Sequence, residues 1–248
     1  MKKKHNLLLF FLFQFLSSVS NVTLAQFFIG PSISYNRNYL KTDLSNRAFT
    51  QVTGKSGFSG SVVFQYRFNE WLGAQIEPTY IQKNDRTERT GFYEGIFIER
   101  KNNRIQLPLL ARFAFGTAKI KGFVNIGIYE SYWLSSRENG TLPNVLSPQS
   151  IVSSQQGDSL LGLIYPTKFN TKYSSNSERD NRWEFGYAAG IGISYKLNDK
   201  IEVFSQARYY YGITSEQKKY SLMQSGYYND TYEFSIGALF LLHNNKRH

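Results

Sequence analysis

The stretch from Phe58 to Phe68 alternates with a period of two. Phe58, Gly60, Val62, Phe64, Tyr66 and Phe68 fall on one face, and Ser59, Ser61, Val63, Gln65 and Arg67 on the other. Successive strand side chains point to opposite sides, so this is a strand with one apolar and one polar face, too regular for a helix. The pattern recurs along the chain. Leu72, Ala74, Ile76, Pro78 and Tyr80 alternate with Gly73, Gln75, Glu77 and Thr79. Ile105, Leu107, Leu109, Ala111, Phe113 and Phe115 oppose Gln106, Pro108, Leu110, Arg112 and Ala114. The same contrast runs from Trp183 to Leu197 and from Tyr232 to Leu242.

Eight strands are predicted, over about 27–36, 55–68, 71–88, 96–115, 119–136, 182–197, 200–216 and 229–242. The fifth is the least tidy, because Glu130 shares a face with Val124, Ile126 and Ile128. A bulge or the edge of a membrane is expected nearby. Connections alternate between short turns at 69–70, 116–118 and 198–199 and longer loops at 37–54, 89–95, 137–181 and 217–228. That rhythm, with an even strand number, predicts an all-β fold: an eight-stranded antiparallel up-and-down transmembrane β-barrel with the short turns and both termini on the periplasmic side.

A soluble lipocalin-like barrel also has eight strands, but with its apolar face inward. Here one face carries bulky Phe, Tyr, Leu and Ile, while the other mixes Gly, Ala and Ser with Arg, Glu and Gln. Only the second set suits the narrow bore of eight strands, which leaves the bulky set to face lipid. Tyr66, Phe68, Trp71, Phe113, Phe115, Trp133, Trp183, Tyr195 and Tyr232 stand near strand ends, as interfacial aromatic belts do. Generic strand propensity accounts for them as well.

The N-terminus agrees with export. Lys2, Lys3 and Lys4 precede an apolar run from Leu7 to Leu16, and Thr23-Leu24-Ala25 offers a cleavage site. This is a signal peptide over residues 1–25, with the barrel domain over 26–248. The run falls short of the roughly 20 residues a spanning helix needs. The expected location is the outer membrane of a Gram-negative cell. Nucleic acid is not an expected partner there. Without the three signal lysines the balance is 26 Lys and Arg against 18 Asp and Glu, a net charge of +8. Solubility explains the surplus, and so does contact with anionic lipid headgroups or sugars.

The run Arg104-Ile105-Gln106-Leu107-Pro108-Leu109-Leu110-Ala111-Arg112-Phe113 resembles a strand motif of PorT-like outer-membrane β-barrel proteins. Gly122–Gly127, Phe185–Gly192, Ala207-Arg208-Tyr209-Tyr210-Tyr211-Gly212 and the closing Tyr232–Phe240 strand are similar to later strands of that family. Two departures are the long insert at 137–181 and the basic tail beyond Phe240. The resemblance implies the barrel fold and raises a secretion-apparatus role as one possibility.

Chemistry-bearing residues are few. The chain has no cysteine and only three histidines, His5, His243 and His248, at its two ends. A Ser-His-Asp site or a His-ligated metal therefore has no histidine on the barrel's strands or outer loops, and no phosphate, calcium or zinc motif appears. No enzyme activity, cofactor or metal is expected. A two-carboxylate site such as Glu77 with Glu202 remains formally open.

Arg67, Glu77, Arg112, Glu184, Glu202 and Arg208, with Lys196, carry both signs on the polar faces. A lumen charge network plugging the bore is expected, with a narrow ion or small-solute channel as the alternative. Outside the barrel, the apolar island Leu160, Leu161, Leu163, Ile164 and Tyr165 in the 137–181 loop is either local packing or a protein-partner patch. A basic collar is expected around the loop ends, including Lys41, Arg47, Lys55, Arg86, Lys168, Lys172 and Lys218. It would either contact phosphate-bearing glycolipid or simply be solvated. The expected barrel is a monomer in outer-membrane lipid and glycolipid.

Overall fold

The structure is a computed structural model that describes residues 26–42, 49–91, 94–144, 165–219 and 226–244. Among these, eleven strand segments fill eight positions of a closed antiparallel ring. Strands β1 (Gln26–Thr42) and β2 (Thr50–Arg67) are each continuous. The third position is shared by β3 (Leu72–Ile76), β4 (Thr79–Gln82) and β5 (Asp85–Arg89). Next come β6 (Phe97–Gly116) and β7 (Ile120–Asn144). The sixth position is divided between β8 (Tyr165–Tyr173) and β9 (Trp183–Lys196), and β10 (Ile201–Gly212) and β11 (Tyr227–Asn244) complete the wall. The β1–β11 ladder closes the ring, running from Gln26 opposite Asn244 to Thr42 opposite Tyr227.

The short turns are built by polar side chains. Asn69 Oδ1 accepts from the backbone N–H groups of Trp71 and Leu72 at 3.0 and 2.7 Å. Asn198 repeats the device with Lys200 and Ile201, both at 2.9 Å. An Asn side chain mimicking a backbone turn in this way reverses the chain without a long loop.

The faces are disposed as the alternation requires. Ile33, Phe58, Ile126, Ile191, Tyr187 and Phe234 are exposed, while Ser32, Ser59, Gln65, Gln75, Gln206 and Ser235 are buried. This arrangement, apolar outside and polar inside, belongs to a transmembrane barrel and is the inverse of a lipocalin-like one. No helix among the described residues is long and apolar enough to cross a membrane; the crossing is made by strands.

Several boundaries differ from the sequence expectation. β1 runs to Thr42 rather than 36, β7 to Asn144 rather than 136, and the 137–181 segment contains β8, which pairs with β7 from Ser136 opposite Tyr173 to Asn144 opposite Tyr165. Above the apolar belt the outer face of a strand meets water instead of hydrocarbon. The hydrophobic contrast then disappears, although the backbone ladder continues.

The third wall position is broken because Pro78 and the neighbouring Pro108 bring no N–H to the ladder. The Pro78 carbonyl still accepts from Val62 N–H at 3.2 Å, and Pro108's accepts from Glu77 N–H at 3.2 Å. Further along, Lys83, Asn84 and Asp85 are all buried in succession, so alternation fails there. Glu130 does face outward, and the expected irregularity lies four residues on in the same strand, where Leu134 is the extra residue between the pairs Asn103–Ser135 and Arg104–Trp133. Trp133 is a correction: beside that shift its ring turns inward, only 8% exposed, and stacks on Tyr173 at 5.6 Å rather than joining an aromatic belt.

Two apolar clusters sit inside. Phe28, Val63, Phe123, Phe204 and Leu239 pack toward the periplasmic end. Leu110, Tyr129, Ala188 and Tyr210 pack higher up. Glycines on β9 make room for the inward aromatics. A Cβ at Gly192 would lie 2.3 Å from the Phe123 ring, and one at Gly186 would lie 2.6 Å from Tyr129.

Residues 1–25, the proposed signal peptide, lie outside the described residues, as do Leu160, Leu161, Leu163 and Ile164 of the apolar island. Tyr165 is placed as the first residue of β8.

Candidate functional site

The lumen holds three tiers of charge. Nearest the periplasm, Arg67 on β2 donates from one nitrogen to both oxygens of Glu202 on β10, at 2.8 Å each. Arg112 on β6 approaches the same carboxylate at 3.8 Å. Both guanidinium groups lie over inward aromatic rings, Arg67 at 4.2 Å from the Phe28 centroid and Arg112 at 3.4 Å from that of Phe123. A cation over a ring face gains from the ring quadrupole where water is absent.

In the middle tier Arg208 donates to Glu77 at 2.9 Å and to the Tyr210 hydroxyl at 2.7 Å. Glu77 also accepts from Ser61 Oγ and Gln75 Nε2, both at 2.9 Å. Glu233, on the inner face of β11, accepts from Ser59 Oγ at 2.7 Å and Tyr210 at 3.4 Å. Glu77 and Glu202 are thus each held by different arginines, which leaves no shared two-carboxylate site between them.

The upper tier is centred on Glu184. Its carboxylate accepts from Lys83 Nζ at 2.6 Å, Tyr129 OH at 2.7 Å and Asn229 Nδ2 at 2.7 Å, and Arg104 stands at 3.1 Å. Arg104 also pairs with Glu216, which accepts from Asn229 at 2.7 Å. Lys83, Arg104 and Gln106 are 0% exposed, Glu77 1% and Glu184 2%.

All six sequence-predicted network residues face the lumen, but they fall into separate tiers rather than one cluster. Arg67, Arg112 and Glu202 meet each other, Glu77 meets Arg208, and Glu184 meets none of the other five. Lys196 pairs with Asp199 at 2.8 Å on the exposed turn, outside the lumen. Sequence reasoning missed Lys83, Arg104, Glu216 and Glu233. Arg104 and Glu233 continue the inward alternation of their strands and were legible. Lys83 likewise continues the inward set Gln75, Glu77, Thr79 and Ile81 and was legible, whereas Glu216 lies beyond the end of β10.

Above the outermost apolar residues Phe58, Tyr80 and Ile105, a crown of polar strands carries its own pairs. Lys55 reaches Glu99 at 2.9 Å, and Arg86 reaches Glu88 at 2.9 Å. Asp85 is fully buried there. Asn102 donates to it at 3.3 Å, while Arg100 stays 3.7 Å away. Burial, only partly offset by Arg100, pushes its carboxyl from 3.8 up to about 6. The folded state therefore holds this proton more tightly than the unfolded chain. The stability it adds is complete below pH 3.8 and is lost as pH rises through 6. Asp85→Asn mimics the protonated form. Its stability relative to wild type is expected to climb between about pH 4 and 6 by about 2–3 kcal/mol and then level off, as read by urea unfolding across that range. A pH-independent difference would discard this account.

Several expected collar cations are tied down: Lys55 and Arg86 as above, and Lys218 on the Ser177 carbonyl at 2.8 Å. Lys168 and Lys172 stand exposed on β8, and Arg47 lies outside the described residues. At the opposite end a mouth of about 280 Å³ opens to the periplasm, lined in part by Arg67, Lys119, Lys121, Asp199 and Glu202. Among the described residues no group of three His, Cys, Asp or Glu side chains is arranged to hold a metal ion.

A family model described as the outer membrane protein beta-barrel domain matches residues 14–218. Among solved structures, the outer membrane protein OprG from Pseudomonas aeruginosa is similar with a TM-score of 0.50 and 16% identity, over 88% of this chain and 96% of that one. Neisserial surface protein A is similar at a TM-score of 0.43 and 13% identity, over 87% and 97%. The Escherichia coli outer membrane protein W is similar at 0.41 and 13%, over 88% and 98%. No curated protein sequence matches this one. At these identities the likeness concerns the fold.

Proposed function

We propose, for a chain that belongs to the outer membrane protein beta-barrel domain family, that it is a non-catalytic barrel with a plugged lumen which acts through its extracellular crown and loops. It resides in the outer membrane of a Gram-negative cell. In this reading the crown binds a protein partner or supports the envelope or a secretion apparatus of the PorT-like kind. The observation that carries it is the burial of charge at mid-lumen. Lys83, Arg104, Glu77 and Glu184 are at most 2% exposed, whereas an open aqueous bore would wet them. Their pairing accounts for their presence without transport, since unpaired charges there would be costly.

The test is conductance of the purified barrel in planar bilayers. No steady current above the bare membrane is expected. A large steady conductance would overturn the plug and promote the narrow-channel reading.

The loop limb of the proposal has its own test. Residues 165–173 form β8 and belong to the crown, so a clean excision spans 145–164, which contains most of the apolar island. The excised protein is expected to keep heat-modifiable gel mobility while losing its co-purifying partner and the cellular phenotype of the intact chain. Unchanged partner capture and phenotype would make the segment a passive insert.

A further inference from the structure

The outer wall is not uniformly bulky. On β10 the outward residues Ser205 and Ala207 are small. Ile191 and Ile193 of β9 flank them on one side, and Phe234 and Ile236 of β11 on the other. The result is an apolar lane along β10, seen as a groove of about 710 Å³ in its periplasmic half and one of about 550 Å³ in its extracellular half. In a bilayer such a lane must be filled by something apolar, because close packing is lost along any wall left without partner atoms.

The extracellular end of the lane is cationic. Arg37, on the outward face of β1, lines the upper groove. Lys41, four residues further up the same face of β1, reaches across β11 to lie 5.8 Å from the Tyr211 ring centroid. Neither is in an ion pair with a described carboxylate. Asp230, the acidic group on the same outer face, is engaged by the Tyr209 hydroxyl. A basic pair above an apolar lane, at the level of the outer leaflet, is complementary to one kind of molecule: a phosphate-bearing acylated lipid with its headgroup on the outside.

We infer that the β10 lane with Arg37 and Lys41 is a seat for one acyl chain and one phosphate of an outer-leaflet anionic glycolipid. The cations sit at the extracellular end, which selects the outer leaflet. The chain lies against Ser205 and Ala207 between the two bulky ridges, and the phosphate takes charge-assisted hydrogen bonds from Arg37 and Lys41.

The probe is a bisphosphorylated, multiply acylated glucosamine disaccharide, with phosphatidylethanolamine as the competing lipid. Protein extracted from outer membranes and delipidated in mild detergent is titrated with each, and retained lipid is counted by native mass spectrometry. One glycolipid per barrel is expected, in preference to phosphatidylethanolamine. Ala207→Trp, which fills the lane, and the pair Arg37→Gln with Lys41→Gln should each weaken retention about tenfold. Ser205→Phe serves as a second lane-filling variant. Ile76→Trp, lipid-facing on the opposite wall, should change nothing. Folding of every variant is checked by heat-modifiable mobility.

Equal retention by folded Ala207→Trp and Ser205→Phe would overturn the seat. So would equal retention of the two lipids, or sensitivity to the glutamines alone, which would mean surface attraction without a lane. A dimer that disappears in Ala207→Trp would assign the lane to a second copy of the chain instead.

Discussion

Replacing Glu184 with leucine is expected to cost about 3–5 kcal/mol of stability, because it strands the buried Lys83 and leaves Arg104 with Glu216 alone. Lys83 and Arg104 are both 0% exposed and both converge on this carboxylate. Tyr129 loses its acceptor in the same step, and Asn229 keeps only Glu216. The measurement is equilibrium urea unfolding of the barrel in lipid vesicles. The same substitution made together with Lys83→Met should cost less than the sum of the two single changes, since the second removes a charge that the first leaves alone. A loss below about 1 kcal/mol for Glu184→Leu would mean that water reaches the tier and screens its charges.

The second large effect lies on the other side of the wall. Ile191 is 65% exposed near the middle of β9, where the surrounding solvent is hydrocarbon. Ile191→Arg is expected to cost about 2–4 kcal/mol in the same assay. Phe64 also faces outward but lies three residues from the periplasmic end of β2. Phe64→Arg should therefore cost less, because the penalty falls to roughly 0–1 kcal/mol near an interface. Equal costs at the two sites would show that the belt is displaced along the barrel axis. The inward positions Ser61 and Gly190 provide the contrast: spin labels there should be less accessible to lipid-dissolved oxygen than labels at Ile191.

These two experiments probe opposite faces of one alternation, and that alternation was the part most legible in the sequence. From Phe58 to Phe68 and from Trp183 to Leu197, the period of two assigned each residue to its face, because hydrocarbon outside and a narrow polar bore inside impose opposite demands. The sign and position of Arg67, Glu77, Arg112, Glu184, Glu202 and Arg208 followed from the same pattern. Their pairing did not follow. Partners such as Arg67 and Glu202 lie 135 residues apart, and which of several cations reaches a given carboxylate depends on register and tilt around the ring. Lys83 was legible by the same rule, since it continues the inward set Gln75, Glu77, Thr79 and Ile81. The period of two fails only beyond it, where Asn84 is buried as well. Trp133 is in phase with inward Phe123, Asn125, Tyr129 and Ser131, and only its nearness to a strand end suggested a place in the aromatic belt. The crown strands up to Thr42, toward Asn144 and over Tyr165–Tyr173 have water instead of hydrocarbon on their outer face, so no apolar periodicity announces them.

The contact of Gly192 with the ring of Phe123 has a consequence for how this wall can vary. A side chain at 192 and an aromatic at 123 claim the same space, so each position restricts which changes the other can accept. Shrinking Phe123 to leucine should recover only part of what Gly192→Ala loses, because the Ser205 carbonyl also stands 2.6 Å from that Cβ. Gly186 differs, because the nearest atom to a Cβ there is the Tyr211 backbone carbonyl at 2.1 Å, which no change at Tyr129 removes. At position 192 the neighbours β7 and β9 are therefore joined in inheritance as well as in hydrogen bonding: a larger side chain there asks for a smaller one at 123.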